Sequence, residues 1–154
     1  MTYELRLERL FDAPREVVFD TLVDPDAQEE LFADQVPGWS LLRSEIDLRV
    51  GGTWSIDFGP TDREDAHEPD RIRSVFTEID RPRRLVYQMS MFVSEWGRTV
   101  DSTLTFTFED QDGKTLLTLL QTGLESEKDR DAFLEGTPGF LDSLQRVVAS
   151  RVAG

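Results

Sequence analysis

The stretch DLRVGGTWSIDF at residues 47–58 decides how this chain folds. Two runs of alternating apolar and polar residues meet at Gly51-Gly52, with Ile46, Leu48 and Val50 on one side of the first run and Trp54, Ile56 and Phe58 on one side of the second. A period of two is the spacing of a half-buried strand, and a glycine pair supplies the backbone freedom that a tight turn needs. The spacing therefore predicts a hairpin with one strongly apolar face. That face either fills an ordinary core or lines a space kept for something else.

The same alternation continues in both directions. Strands are predicted at roughly 41–49, 53–58, 71–79, 85–93, 102–109 and 115–122, separated by Gly59-Pro60, Asp80-Arg81-Pro82 and Asp110-Gln111-Asp112-Gly113. These breaks carry turn chemistry, and consecutive short turns imply an antiparallel meander. Ahead of it, Tyr3, Leu5, Leu7, Arg9 and Phe11 form a further strand that stops before Pro14. Val18, Phe19, Leu22 and Val23 recur at helical spacing over 13–23, and Asp24-Pro25 opens a second short helix over 25–32 because Asp caps free amides and Pro needs no partner there. At the other end Phe140, Leu141, Leu144, Val147, Val148 and Val152 predict an amphipathic helix over 138–152. A helical turn or two at 127–134 precedes it, broken off by Gly136-Thr-Pro-Gly139.

With 154 residues against about 100 to 200 per domain, one α+β domain over 1–154 is expected. Seventeen basic and 31 acidic residues leave a net charge of −14, a field that repels phosphate backbones and anionic lipid. Nucleic acid and membrane surfaces are thereby disfavoured as partners. The chain has no cysteine, which excludes disulfides, thiolate catalysis and cysteine-bound zinc and fits a cytoplasmic location. The opening MTYELRLERLF lacks the apolar run of a signal peptide, and no stretch approaches the roughly 18 apolar residues of a membrane span.

One phase of the strands is far more apolar than the other. It holds Trp54, Ile56 and Phe58, then Leu85, Tyr87, Met89 and Met91, and then Leu104, Phe106, Phe108, Leu117 and Leu119. The opposite phase carries Ser55, Asp57, Gln88, Ser90, Thr103, Thr105 and Thr107, the mark of a sheet wetted on its outer side. Aromatics and two methionines suit an adaptable apolar pocket, and the same residues at the same spacing also build solid cores. Gln121 continues the inward phase, and Tyr87 carries a hydroxyl that needs a partner if buried, so these two are the polar candidates for orienting a ligand. Glu95-Trp96, before Gly97, belongs to a hairpin or to the rim of the pocket.

Several stretches in this order resemble a known family: APREVVF at 13–19 with Asp24-Pro25, DLRVGGTW at 47–54, EIDRPRRLVY at 78–87, TLTFTFE at 103–109, GKTLLTL at 113–119, and Gly139-Phe140 with Leu144. Together they resemble the helix-grip, START-like (SRPBCC) superfamily, and within it the family named for the activator of the ninety-kilodalton heat-shock protein's ATPase, carboxy-terminal-domain-like. The resemblance implies a curved antiparallel sheet of six to seven strands around a long terminal helix, with two short helices after the first strand. It also implies a cavity between sheet and helix, to which Phe140 and Leu144 would add their side chains. Phe32 and Phe140 stand where the family usually has tryptophan, and Ser74 where it usually has glycine.

Little else in the chain points to chemistry. The only histidine, His67, lies in the polar loop TDREDAHEPD at 61–70, which lacks the spacing of a calcium loop and reads as solvated, or as a lid over the cavity mouth. No nucleophile elbow or phosphate-cradling glycine loop is present, none of the inward positions named above is a carboxylate, and no cofactor or metal is expected. Three functions stay in view: a non-enzymatic domain holding a small hydrophobic molecule, a co-chaperone-like module contacting a chaperone or other protein, and a cyclase- or hydrolase-type enzyme. Monomer and homodimer are equally compatible with the sequence.

Overall fold

A computed structural model of the chain describes residues 1–62 and 64–153. Seven strands, β1 (Tyr3–Phe11), β2 (Trp39–Ile46), β3 (Thr53–Pro60), β4 (Asp70–Asp80), β5 (Arg84–Val93), β6 (Arg98–Gln111) and β7 (Lys114–Leu124), form one antiparallel sheet in the order β1-β7-β6-β5-β4-β3-β2. From β2 to β7 the strands run as a meander, and β1 closes the sheet against β7. Helix α1 (Arg15–Val23), a 3₁₀ turn at Pro25–Ala27 and helix α2 (Gln28–Leu31) lie between β1 and β2, and α3 (Glu127–Ala153) ends the chain.

Local chemistry explains the short helices. Pro14 sits one position ahead of α1 in extended backbone, and its carbonyl accepts from Val17 N and Val18 N. Asp24 ends α1 and starts the next turn at once, its Oδ1 accepting from Asp26 N at 2.9 Å with Pro25 at the first position. Buried Val18, Phe19 and Leu22 press α1 onto the sheet, where the Phe19 and Phe108 rings lie 5.2 Å apart. Arg151, near the end of α3, reaches Asp24 and donates to Thr21 Oγ1, so the last helical turn is fastened to the first helix.

In two places the structure departs from the sequence pattern. The first concerns the opening stretch: β2 ends at Ile46, and residues 47–52 form a turn that leaves Leu48 and Val50 41% and 62% exposed. Asp47 N donates to Thr53 O across the turn and Gly51 N to Phe76 O of β4, so this backbone is held by bonds other than a continued β2–β3 ladder. Gly51 has φ 84°, and a side chain at Gly52 would collide with the Asp47 and Arg49 carbonyls. Both glycines are therefore demanded by the geometry.

The second departure is in α3, a single helix of 27 residues that runs through Gly136-Thr-Pro-Gly139 without a break. Pro138 removes one backbone donor, yet the helix is held on both sides of it. Toward the carboxy terminus Leu141, Leu144, Val147 and Val148 are buried in the core. Arg9 adds a further tie from β1, with Nη1 2.7 Å from Asp142 Oδ1 and 3.0 Å from Gln145 Oε1. On the amino-terminal side Asp129 is buried and bonded to β6.

Candidate functional site

Sheet alternation sorts the side chains as the sequence predicts. Trp54, Ile56, Phe58, Tyr87, Met89, Leu104, Phe106 and Leu119 are buried on the concave face, Met91 is half-buried, and Gln88 and Ser90 on the convex face are exposed. The register lines these up in rows across the sheet. One row runs Phe76, Tyr87, Leu104, Gln121, and the next runs Trp54, Ser74, Met89, Ser102. In the second row Ser74, a small side chain between Trp54 and Met89, borders open volume above the sheet.

The cavity has a volume of about 450 Å³, within the roughly 300–1,000 Å³ of small-molecule sites. Its floor is built from Trp54, Ile56, Tyr87, Met89, Leu104 and Phe106. Ile72, Met91, Leu119 and Gln121 extend the floor, and the first half of α3 covers it with Ala132, Phe133, Gly136, Thr137 and Phe140. Phe32 stands between Phe58 and Phe140, with ring centroids 6.1 and 5.3 Å away, and forms one wall with Gln35 and Val36 beyond it. Trp96 packs edge-on to Phe133 at 6.4 Å and forms the opposite wall. Exposed Val36, Glu95 and Gly136 mark the mouth, where lining meets solvent.

The residues predicted to line it border this space except Leu144, and of the inward phase Leu85, Phe108 and Leu117 are buried away from it. Leu144 is fully buried and belongs to the solid part of the core beyond the cavity. It lies a further turn along α3 than Phe140, where the helix has closed onto the sheet. Asp70, Ile72, Ser74 and the α3 residues before Phe140 were not singled out by the strand pattern. Reading α3 as broken at Gly136 hid its first half, although Ala132, Phe133, Gly136, Thr137 and Phe140 share one helical face.

Few polar groups reach the interior. Burial alone raises the Tyr87 phenol well above its ordinary value, and no protein group among the described residues bonds to its hydroxyl. At neutral pH Tyr87 is therefore an uncharged hydrogen-bonding group and not a base. Gln121 is 1% exposed and its Nε2 donates to Ser102 Oγ at 3.0 Å, which leaves its carbonyl oxygen and second amide hydrogen for another partner. Ser74 adds a hydroxyl, and Trp54 Nε1 is buried without a partner among the described residues.

Two carboxylates line the mouth, in contrast to the strand floor. Asp70 comes from the start of β4 and Glu95 from the β5–β6 hairpin, so Glu95-Trp96 is both hairpin and rim. Asp70 Oδ1 accepts from Ser94 N at 2.9 Å and Ser94 Oγ at 2.8 Å, which clamps the hairpin to β4. Of the described residues in the 61–70 loop, Asp70 alone borders the cavity, and Arg63 lies outside the described residues. His67 is exposed and pairs with Asp65, and among the described residues no group of three His, Asp or Glu is placed to hold a metal.

A curved seven-stranded sheet gripping a long terminal helix over a cavity defines a helix-grip, START-like protein. The family model for Activator of Hsp90 ATPase homolog 1-like protein matches residues 12–149, and the chain belongs to that family. Among solved structures it is similar to a putative uncharacterized protein from Rhizobium leguminosarum, with 27% identity, a TM-score of 0.76 and 97% and 96% of the two chains covered. It is also similar in fold to a Chromobacterium violaceum protein, at 22% identity and TM-score 0.78 over 94% and 96% of the two chains. A third likeness is to the AHSA1-like protein from Aeromonas hydrophila, at 22% identity and TM-score 0.73 over 99% and 96%. No curated protein matches the chain. No helix among the described residues is long and apolar enough to cross a membrane.

Proposed function

We propose that this chain is a non-enzymatic binding domain that holds a small hydrophobic or aromatic molecule between the sheet and α3. The observation that carries the reading is the cavity of about 450 Å³, walled by aromatic, methionine and aliphatic side chains and served by a few hydrogen-bonding groups. Apolar burial supplies affinity in such a site, and sparse polar groups supply orientation. Tyr87 and Gln121 are the orienting pair, since each has capacity left after its protein contacts. Trp54 and Phe106 flank Tyr87 at centroid distances of 5.5 and 6.1 Å and give a flat occupant rings to stack on.

Support for a binding role over catalysis comes from the same groups. The floor carries no ionised side chain, and the mouth carboxylate of Asp70 already accepts two hydrogen bonds. Native mass spectrometry of protein purified from its own host, followed by extraction and identification of any bound molecule, tests the reading. A discrete apolar compound at near-stoichiometric occupancy is expected. Empty protein that also fails to take up added apolar probes would contradict it and favour a protein-interaction role for this family fold.

A further inference from the structure

We infer that the occupant is an uncharged or cationic molecule, and that the site discriminates against carboxylates, sulfonates and phosphates carried on an otherwise suitable apolar frame. This rests on the binding role proposed above. Among the described residues the lining includes two carboxylates, Asp70 and Glu95, and no lysine, arginine or histidine. An anionic group at the floor would lose its water and find only uncharged partners there, Tyr87, Gln121, Ser74 and the Trp54 Nε1 donor. The same group left at the mouth would face both carboxylates, which the Ser94 bonds to Asp70 bring onto one rim.

Among the described residues, the arginines Arg98 and Arg71 near that rim are already engaged. Arg98 forks onto Asp129 at 2.6 and 3.0 Å and lies over the Trp96 ring at 5.1 Å. Arg71 lies over Phe92 at 5.8 Å, with Nη1 3.8 Å from Glu68. The net charge of −14 gives the surrounding field the same sign as the rim. A cationic or neutral head group is thus tolerated at the mouth, and an anionic one is opposed at every depth.

A matched pair of fluorescent probes isolates the charge: N-phenyl-1-naphthylamine is neutral, and 8-anilinonaphthalene-1-sulfonate puts a sulfonate on the same aromatic frame. Titrated into the intact protein at low salt, the neutral probe is expected to bind at least about tenfold more tightly, the scale of one unfavourable charge contact in a partly desolvated site. Glu95→Lys, on an exposed hairpin, is expected to strengthen sulfonate binding relative to neutral-probe binding. A sulfonate bound within tenfold of the neutral probe overturns the charge inference and leaves the binding role standing. Sulfonate affinity unmoved by Glu95→Lys overturns the assignment of the discrimination to the mouth. Failure of both probes to bind overturns the binding role and the inference together.

Discussion

Arg98 and Asp129 form a two-pronged ion pair, Nη2 to Oδ1 at 2.6 Å and Nη1 to Oδ2 at 3.0 Å, that ties the start of β6 to the first turn of α3. Asp129 N also donates to Ser126 Oγ at 3.0 Å, so Ser126 caps the helix at the residue that anchors it. The half of α3 that covers the cavity begins at this point. Its position depends on the pair because Gly136 and Pro138 weaken the helix just beyond.

The Arg98 hydrogen bond holds the Asp129 carboxyl below its ordinary value, outweighing the opposing effect of burial. A carboxyl depressed in the folded state contributes stability above its unfolded pKa, about 3.9, and loses it as pH falls through the lower folded value. Asp129→Asn is therefore expected to unfold at lower temperature than the parent at neutral pH, with the gap shrinking below about pH 4. Thermal unfolding of both proteins across pH 2.5–7 measures this, in steps of about half a unit. A gap independent of pH would show that the ionised pair is not what anchors the helix.

Gly136 lies in the helix over the mouth, with open space where a side chain would go. Gly136→Leu is expected to raise stability by about 0.5–1 kcal/mol through helix propensity and to weaken neutral-probe binding at least about tenfold by filling the mouth. Urea unfolding and fluorescence titration read the two effects separately.

Tyr87→Phe removes a hydroxyl that bonds to no protein group among the described residues. Stability is expected to change by no more than about 0.5 kcal/mol, whereas loss of a bonded buried hydroxyl costs about 1–3 kcal/mol. Affinity for aromatic ketones is expected to fall about three- to tenfold, with that for plain hydrocarbons unchanged.

Leu144 and Met89 separate core from cavity. Leu144→Ala opens a void in packed core and is expected to cost about 2–5 kcal/mol without changing which probes bind. Met89→Ala enlarges a space already present, so its cost is expected near the low end, about 2 kcal/mol, with larger probes admitted. Chemical denaturation with a graded probe series distinguishes them.

Much of the fold was legible because strand alternation carries its own periodicity. Trp54, Ile56 and Phe58, and again Leu104 and Phe106, could only share a face, and that face is the cavity floor. Alternation does not mark where a strand stops, so Leu48 and Val50 kept the phase of β2 while lying in an exposed turn. Gly136-Thr-Pro-Gly139 is locally a helix breaker, and only the tertiary ties of Asp129 and the buried Leu141 and Leu144 override it. The covering residues Phe133, Gly136 and Thr137 became visible only once that helix was continuous. Asp70 meets the Glu95 hairpin through a hydrogen bond to Ser94, 24 residues away, which no local pattern encodes, whereas Glu95-Trp96 itself was legible as hairpin or rim.

Methionine placement offers the most direct test of a ligand-accepting interior. Of the three methionines, Met89 and Met91 line the cavity and Met1 is fully exposed. Protein labelled with ¹³C at the methionine methyls, its signals assigned by Met89→Leu and Met91→Leu, is titrated with N-phenyl-1-naphthylamine and followed by methyl NMR. Saturable shifts of the Met89 and Met91 signals, with Met1 stationary, are the expected result. Signals at Met89 and Met91 that stay in place throughout the titration would contradict a binding site between the sheet and α3.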